Sequence, residues 1–377
     1  MCGLLVDVTA AKLFDRHRGS EMDMQSSNSM TTSVNRVVPE VAWLNVNRAC
    51  NLRCKWCYAQ GAGYAVGEDM RLEMAKDLAL ILKEMHVKKI ILLGGEPTLW
   101  EPLLEFNRFC IDIDMRTSLV TNATRFGVDA YWRAYMRHPN TDAPWVSMKA
   151  YDQQSLDQTC GPTPLDTVAR GIRRATDFFD CGVSFVYNDC FTENLTDLTR
   201  AAMDMGARFV RISPCTPTFA HNTASNQYLL DTKQYVEHVM RDYPQLCEIT
   251  GGRLSFSMKM PLCSWPMEFL DTLLRRRQMT CTCQVQKRAG VMFDPDGHLL
   301  LCNLLFDYPV GTYNKDFTDA SSLATYLNSE RVLEYYNRLT AYPSPKCVGC
   351  PKFTICAGGC PLRWAVSDPE EIITGWN

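Results

Sequence analysis

Several features are scarce in this chain, and each scarcity removes a class of protein. No stretch approaches the ~18 consecutive apolar residues that a bilayer span requires. The opening MCGLLVDVTAAKLF has no basic segment ahead of its apolar residues and carries Asp7 among them, which argues against a secretory signal. Charge of one sign is not in excess: 39 Lys and Arg against 42 Asp and Glu leave −3. That balance argues against a nucleic-acid coat or a polybasic membrane binder. The six histidines (17, 86, 138, 221, 238 and 298) show no paired ligand spacing. No repeat of fixed period is visible. Gly61, Gly63 and Gly67 approach a dinucleotide fingerprint, but their spacing is wrong and a cysteine loop precedes them instead of a strand. These absences predict a cytoplasmic protein with no nucleic-acid and no membrane partner.

What is present is enough chain for a sizeable core, 377 residues with 46% apolar side chains. Residues 15–38 are polar and Ser/Thr/Met-rich without apolar periodicity, so 1–38 reads as a partly disordered leader. Short apolar runs then appear at 41–46, 88–93, 115–121, 145–149, 183–187 and 208–212. Helical patterns separate them; in 70–85, Met70, Met74, Leu78, Ile81 and Met85 share one face. Strands alternating with helices imply parallel βα units. Periodicity does not separate an open doubly wound sheet from an incomplete barrel, but both gather ligands at the carboxyl ends of their strands. Beyond about 216 the pattern changes to helices over 230–242 and 265–278, then a hairpin signal at Pro295-Asp296-Gly297. The last part of the chain is rich in Cys, Pro and Gly. The divisions predicted are a core over 39–215, linking helices over 216–262 and a small cysteine-rich module over 263–377.

The 18 cysteines dominate the composition. In a long chain without a secretion signal, clustered cysteines more often hold metal than form disulfides. Cys50, Cys54 and Cys57 stand in RACNLRCKWCYAQ directly after the first strand. Chance places this spacing in a chain of such cysteine content about 0.04 times. Three thiolates on one short loop suit a four-iron cubane whose fourth iron is left open for a ligand. A zinc ion short of a ligand and three buried thiols are the plainer alternatives.

CxxxCxxC with the aromatic Trp56 before the third cysteine resembles the signature of the radical S-adenosylmethionine (SAM) superfamily, over about 41–215. Gly94-Gly95-Glu96-Pro97, closing the second strand, is similar to that family's GGEP motif. The resemblance implies that this backbone and Glu96 hold the amino group of SAM, glycine permitting close approach and a carboxylate pairing with an ammonium. Asn122, in LVTNAT, resembles an element at the end of the family's third strand. Ser147, in VSMKAYD, stands where many members have SxD, with Lys149 here replacing the aspartate. The implied fold is an α/β partial (β/α)6 barrel of the triosephosphate isomerase kind followed by a small α+β domain. The implied chemistry is one-electron cleavage of SAM by a [4Fe-4S] cluster, giving a 5′-deoxyadenosyl radical that abstracts hydrogen.

Cys283, Gly297 and Cys302, followed by Cys347-x2-Cys350-x5-Cys356-x3-Cys360, resemble the SPASM extension of radical SAM peptide maturases over roughly 263–365. That resemblance implies two auxiliary [4Fe-4S] clusters, with the last cysteine of the run crossing to the first. The first cluster would then take Cys283, Cys302, Cys360 and either Cys263 or Cys281. Cys263 is preferred because Cys281 lies only two residues from Cys283. The second would take Cys347, Cys350 and Cys356, and no cysteine follows Cys360 to complete it. An open iron, Asp368 or a distant thiol such as Cys2 are the alternatives. Spacing alone would also allow a zinc ribbon. Cysteines 110, 160, 181, 190, 215 and 247 read as small buried hydrophobes, with Cys190 and Cys215 near strand ends.

The function this implies is a maturase acting on a ribosomally made precursor peptide, by crosslink, thioether, epimerisation or oxidation. A flavodoxin- or ferredoxin-type electron donor is expected, as is a separate leader-binding protein, since no leader-binding domain is visible ahead of the core. A dehydrogenase acting on a small molecule is the alternative with the same chemistry, and a non-enzymatic iron–sulfur carrier is the second alternative.

Overall fold

The structure is a computed structural model, and it describes residues 36–59, 68–220, 223–225, 227–280 and 283–375. The expected leader falls almost wholly outside these residues, as do Cys2 and Cys281. Six parallel strands occupy Val41–Asn45 (β1), Lys89–Leu93 (β2), Thr117–Thr121 (β3), Trp145–Ser147 (β4), Val183–Tyr187 (β5) and Val210–Pro214 (β6). Between them run Leu72–Glu84 (α1), Leu103–Asp112 (α2), Asp129–Tyr135 (α3), Gln153–Cys160 (α4), Leu165–Phe179 (α5) and Leu195–Asp204 (α6). Helix α1 buries Ala75, Leu78, Ala79, Ile81 and Leu82, the stripe that its spacing predicts. Helix α4 begins with a reciprocal capping box between Asp152 and Ser155. Its far end lies on the cysteine loop, where the Arg53 N–H donates to Cys160 O at 2.7 Å and the Lys55 N–H to Thr159 O at 2.9 Å.

The sheet does not stop at six strands. Leu254–Ser257 (β9) pairs parallel with β6, and Met279–Thr280 (β10) pairs with β9. At the other side Gly290–Phe293 (β11) pairs parallel with β1, followed by the antiparallel strands His298–Leu300 (β12) and Gly311–Thr312 (β13). The order is β10-β9-β6-β5-β4-β3-β2-β1-β11-β12-β13, with a separate hairpin of Thr218–Ala220 (β7) and Thr223–Ser225 (β8). Two expectations change. Residues 216–262 are not helices alone, since they hold that hairpin and a strand of the main sheet besides the helix Thr232–Thr250. The predicted hairpin at 291–302 is present, but its first strand also extends the core sheet. Strand β1 is therefore flanked on both edges, and Ala42 and Leu44 are fully buried.

Candidate functional site

The loops after β1, β2 and β3 meet at the carboxyl end of the sheet. The Gly95 N–H donates to Asn47 O at 2.9 Å, the Glu96 N–H to Ala49 O at 2.8 Å and Asn47 Nδ2 to Glu96 O at 2.8 Å. A Cβ on Gly95 would lie 2.3 Å from Ala49 O, and one on Gly94 would lie 2.1 Å from Asn47 Oδ1. These glycines thus let two loops touch, a role the motif reading had given to contact with a ligand. Pro97 opens the short turn Pro97–Leu99 behind them.

Glu96 is 1% exposed. Its Oε1 accepts from the Thr98 N–H (3.2 Å), Thr98 Oγ1 (2.7 Å) and Thr121 Oγ1 (2.7 Å), and its Oε2 accepts from the Asn122 N–H at 2.8 Å. Burial pushes its carboxyl group above the usual carboxylate range, and the four donors oppose that shift. Asn122 carries the connection onward: its Nδ2 donates to Asn51 Oδ1, inside the cysteine loop, at 2.8 Å. The Ser147 hydroxyl accepts from Lys149 Nζ at 2.7 Å.

Cys54 and Cys57 lie within electrostatic reach of Cys50. Burial pushes the Cys50 thiol up to about 12; the Leu52 N–H opposes this, while Glu96, Cys54 and Cys57 add to it as neighbouring negative charges. Cys54 has a fourth thiol beside it. A hydrogen bond with Cys160, then burial, raises Cys54, and Lys149 pulls it down. Cys160 is lowered by that hydrogen bond, with Thr159 Oγ1 3.4 Å from its sulfur. The sequence reading missed Cys160 and Lys149 as neighbours of the loop. Both lie on later βα units, so no local spacing announces them.

The C-terminal thiols sort into two groups. Cys302 is pushed up to about 12 by burial, with Cys283 and Cys360 adding their charge. Cys360 is held by its N–H to Lys259 O at 2.9 Å. Half-buried Tyr58 feels the charges of Cys57, Cys302 and Cys50. In the second group, burial raises Cys347 to about 11, with Cys356, Cys263 and Cys350 adding to it. Cys263 therefore does not sit with Cys283, Cys302 and Cys360 as preferred from sequence. The turn Leu262–Ser264 carries it to Cys356, whose sulfur accepts the Leu262 N–H at 3.1 Å.

Sulfur spacing tests what such groups could hold. A zinc tetrahedron with Zn–S near 2.3 Å needs sulfurs about 3.8 Å apart. Among the described residues no three cysteine sulfurs lie within 4.8 Å of one another. A cluster binds each thiolate to a different iron and does not require the sulfurs to meet at one point. The only three side chains that close in on a single point are Asp294, Asp296 and His298, again among the described residues. There Arg48 Nη2 already stands 3.2 Å from Asp296 and 3.5 Å from Asp294 as the cation. A cavity between the cysteine loop, the Gly94–Pro97 loop and the hairpin is lined by Asn47, Arg48, Tyr58, Gly94, Gly95 and Asn303. The buried Asn47 Oδ1 has no partner there, an acceptor of the kind a ligand ammonium would use.

The family model of the Radical SAM superfamily matches residues 44–197, the span holding all three loops. Residues 44–197 are a radical SAM domain. That superfamily is one of enzymes. In sequence it resembles the GTP 3′,8-cyclase of Haemophilus influenzae, 30% identical over 159 residues that are 41% of this chain and 45% of the relative. It spans less than half the length of that curated relative. In fold, the radical SAM domain and the strands around it resemble Streptococcus suis SuiB bound to precursor peptide SuiA. There the TM-score is 0.64 at 15% identity, over 86% of this chain and 72% of that one. The fold also resembles anSMEcpe with bound AdoMet and Cp18Cys peptide, with a TM-score of 0.63 at 17% identity over 89% and 96%.

Proposed function

We propose that this radical SAM enzyme modifies a residue of a ribosomally made precursor peptide. Cys50, Cys54 and Cys57 would hold a [4Fe-4S] cluster with one iron free of protein thiolate, and SAM would lie against Gly94–Pro97, Asn122 and Ser147. When bound, that pair supplies a 5′-deoxyadenosyl radical for hydrogen abstraction. The chain's own part is placement. Glu96 and Asn122 lock three loops into one surface, and the Asn47 side-chain oxygen offers an acceptor for the SAM ammonium. Lys149 sets a positive charge beside Cys54. Trp56, edge-on to Phe191 at 5.3 Å, closes the loop's inner side to water.

Residues 39–215 would be the catalytic core and 263–377 an auxiliary cluster unit, with Cys283, Cys302 and Cys360 serving one cluster and Cys347, Cys350 and Cys356 the other. Such clusters would take up the electron left on the substrate after hydrogen abstraction, and a flavodoxin- or ferredoxin-type partner would supply the electron that cleaves SAM. A separate protein would hold any leader peptide. The observation that carries the peptide reading is the fold likeness, over 86% and 89% of this chain, to proteins whose structures hold SuiA and the Cp18Cys peptide. Among the described residues no helix is long and apolar enough to cross a membrane.

The cyclase likeness favours a second reading, a small-molecule substrate, but it covers only 41% of this chain. Anaerobic turnover separates the two. The chain is offered the short peptide encoded beside its gene, or GTP, with SAM and a reductant. Loss of a pair of hydrogens from the peptide, or an inverted stereocentre, supports the maturase; a cyclised nucleotide with an unchanged peptide contradicts it.

A further inference from the structure

We propose that Cys263 completes the Cys347/Cys350/Cys356 site, so that this auxiliary cluster is closed by four thiolates of the chain, the fourth arriving from upstream of the cysteine run. The proposal rests on the reading of these thiols as iron–sulfur ligands, and it concerns which residue joins Cys347, Cys350 and Cys356 as the fourth.

The segment from Lys259 to Cys263 passes between the two thiol groups. At its start, Lys259 O receives the Cys360 N–H at 2.9 Å, which fixes Cys360 on the side of Cys283 and Cys302. At its end, the Leu262 N–H points at Cys356 Sγ, 3.1 Å away, which fixes the adjoining Cys263 on the other side. The far end of the chain clasps the same turn: Thr374 Oγ1 donates to Cys263 O at 3.0 Å, and Lys346 Nζ, beside Cys347, donates to Ile373 O at 2.9 Å. Cys263 and Cys347 are thereby tied to one strap. The competing ligand Asp368 is turned to another task, its Oδ1 capping the helix Pro369–Ile372 through the Glu370 N–H at 2.9 Å. A cluster with four protein thiolates has no iron free for substrate, so this site passes electrons and does not bind the peptide.

The test uses the full chain carrying Cys50→Ala, Cys54→Ala and Cys57→Ala, reconstituted without oxygen, so that only auxiliary sites remain. Adding Cys263→Ala should lower iron from about eight to about four per chain. If iron is kept, the reduced EPR signal should change when imidazole is supplied, because an iron has been uncovered. Cys263→Ser, which keeps an oxygen ligand, should retain iron with an altered signal. Cys110→Ala, buried in α2 away from these loops, should change neither and so controls for folding. Iron, sulfide and EPR unchanged in Cys263→Ala, with and without imidazole, would overturn the assignment. A background protein that takes up zinc or no metal would instead overturn the cluster reading itself, and the proposal with it.

Discussion

Glu96 and Lys149 carry the residue-level account. Glu96 is the single acceptor for four buried or part-buried donors on two loops, and each donor left without a partner costs about 1–3 kcal/mol. Glu96→Ala is expected to lower the thermal unfolding midpoint by several degrees even in protein without cofactor; an unchanged melt would show that the junction holds without it. Lys149 places an ammonium near Cys54, and a positive charge favours the reduced, more negative state of a cluster. Lys149→Met should therefore move the midpoint of the cluster bound by Cys50, Cys54 and Cys57 to a more negative potential in an EPR-monitored titration. No shift, or a positive one, would remove Lys149 from the site's electrostatics.

At the scale of elements, the core sheet borrows strands from the C-terminal part of the chain. Phe293 on β11 is fully buried, and its strand pairs with β1, the strand leading into the cysteine loop. Phe293→Ala should cost about 3–5 kcal/mol and destabilise the radical SAM domain with the rest, seen as one displaced transition by calorimetry. Two transitions, with only the smaller one displaced, would mean the C-terminal part folds apart. The six core strands were legible because each is an apolar run between helical patterns, and β5 matches the expected 183–187 in full. Strand β9, LSFS, and the pairing of β11 with β1 were not legible. Four residues carry too little pattern to name a partner strand, and β11 looked complete as half of a hairpin. The cysteine motif was readable because its three thiols share one loop. Sorting the C-terminal thiols was not, because the turn at Leu262–Ser264 decides which way Cys263 faces, and spacing along the chain does not record that turn.

For the whole molecule, Tyr58, beside the first cysteine loop, and Asn303, next to Cys302, line one cavity. In the function proposed above, the first group behaves as an open site and the others as its electron outlet. The most direct measurement is the fate of SAM mixed with the anaerobically reconstituted chain and a strong reductant, followed by chromatography of the quenched mixture. The account predicts 5′-deoxyadenosine and methionine in equal amounts, and neither from the Cys50→Ala, Cys54→Ala, Cys57→Ala variant, even when that variant still carries iron at its C-terminal thiols. An iron-loaded, reduced wild-type chain that leaves SAM intact, or a triple variant that cleaves it as well as the wild type, would contradict the account.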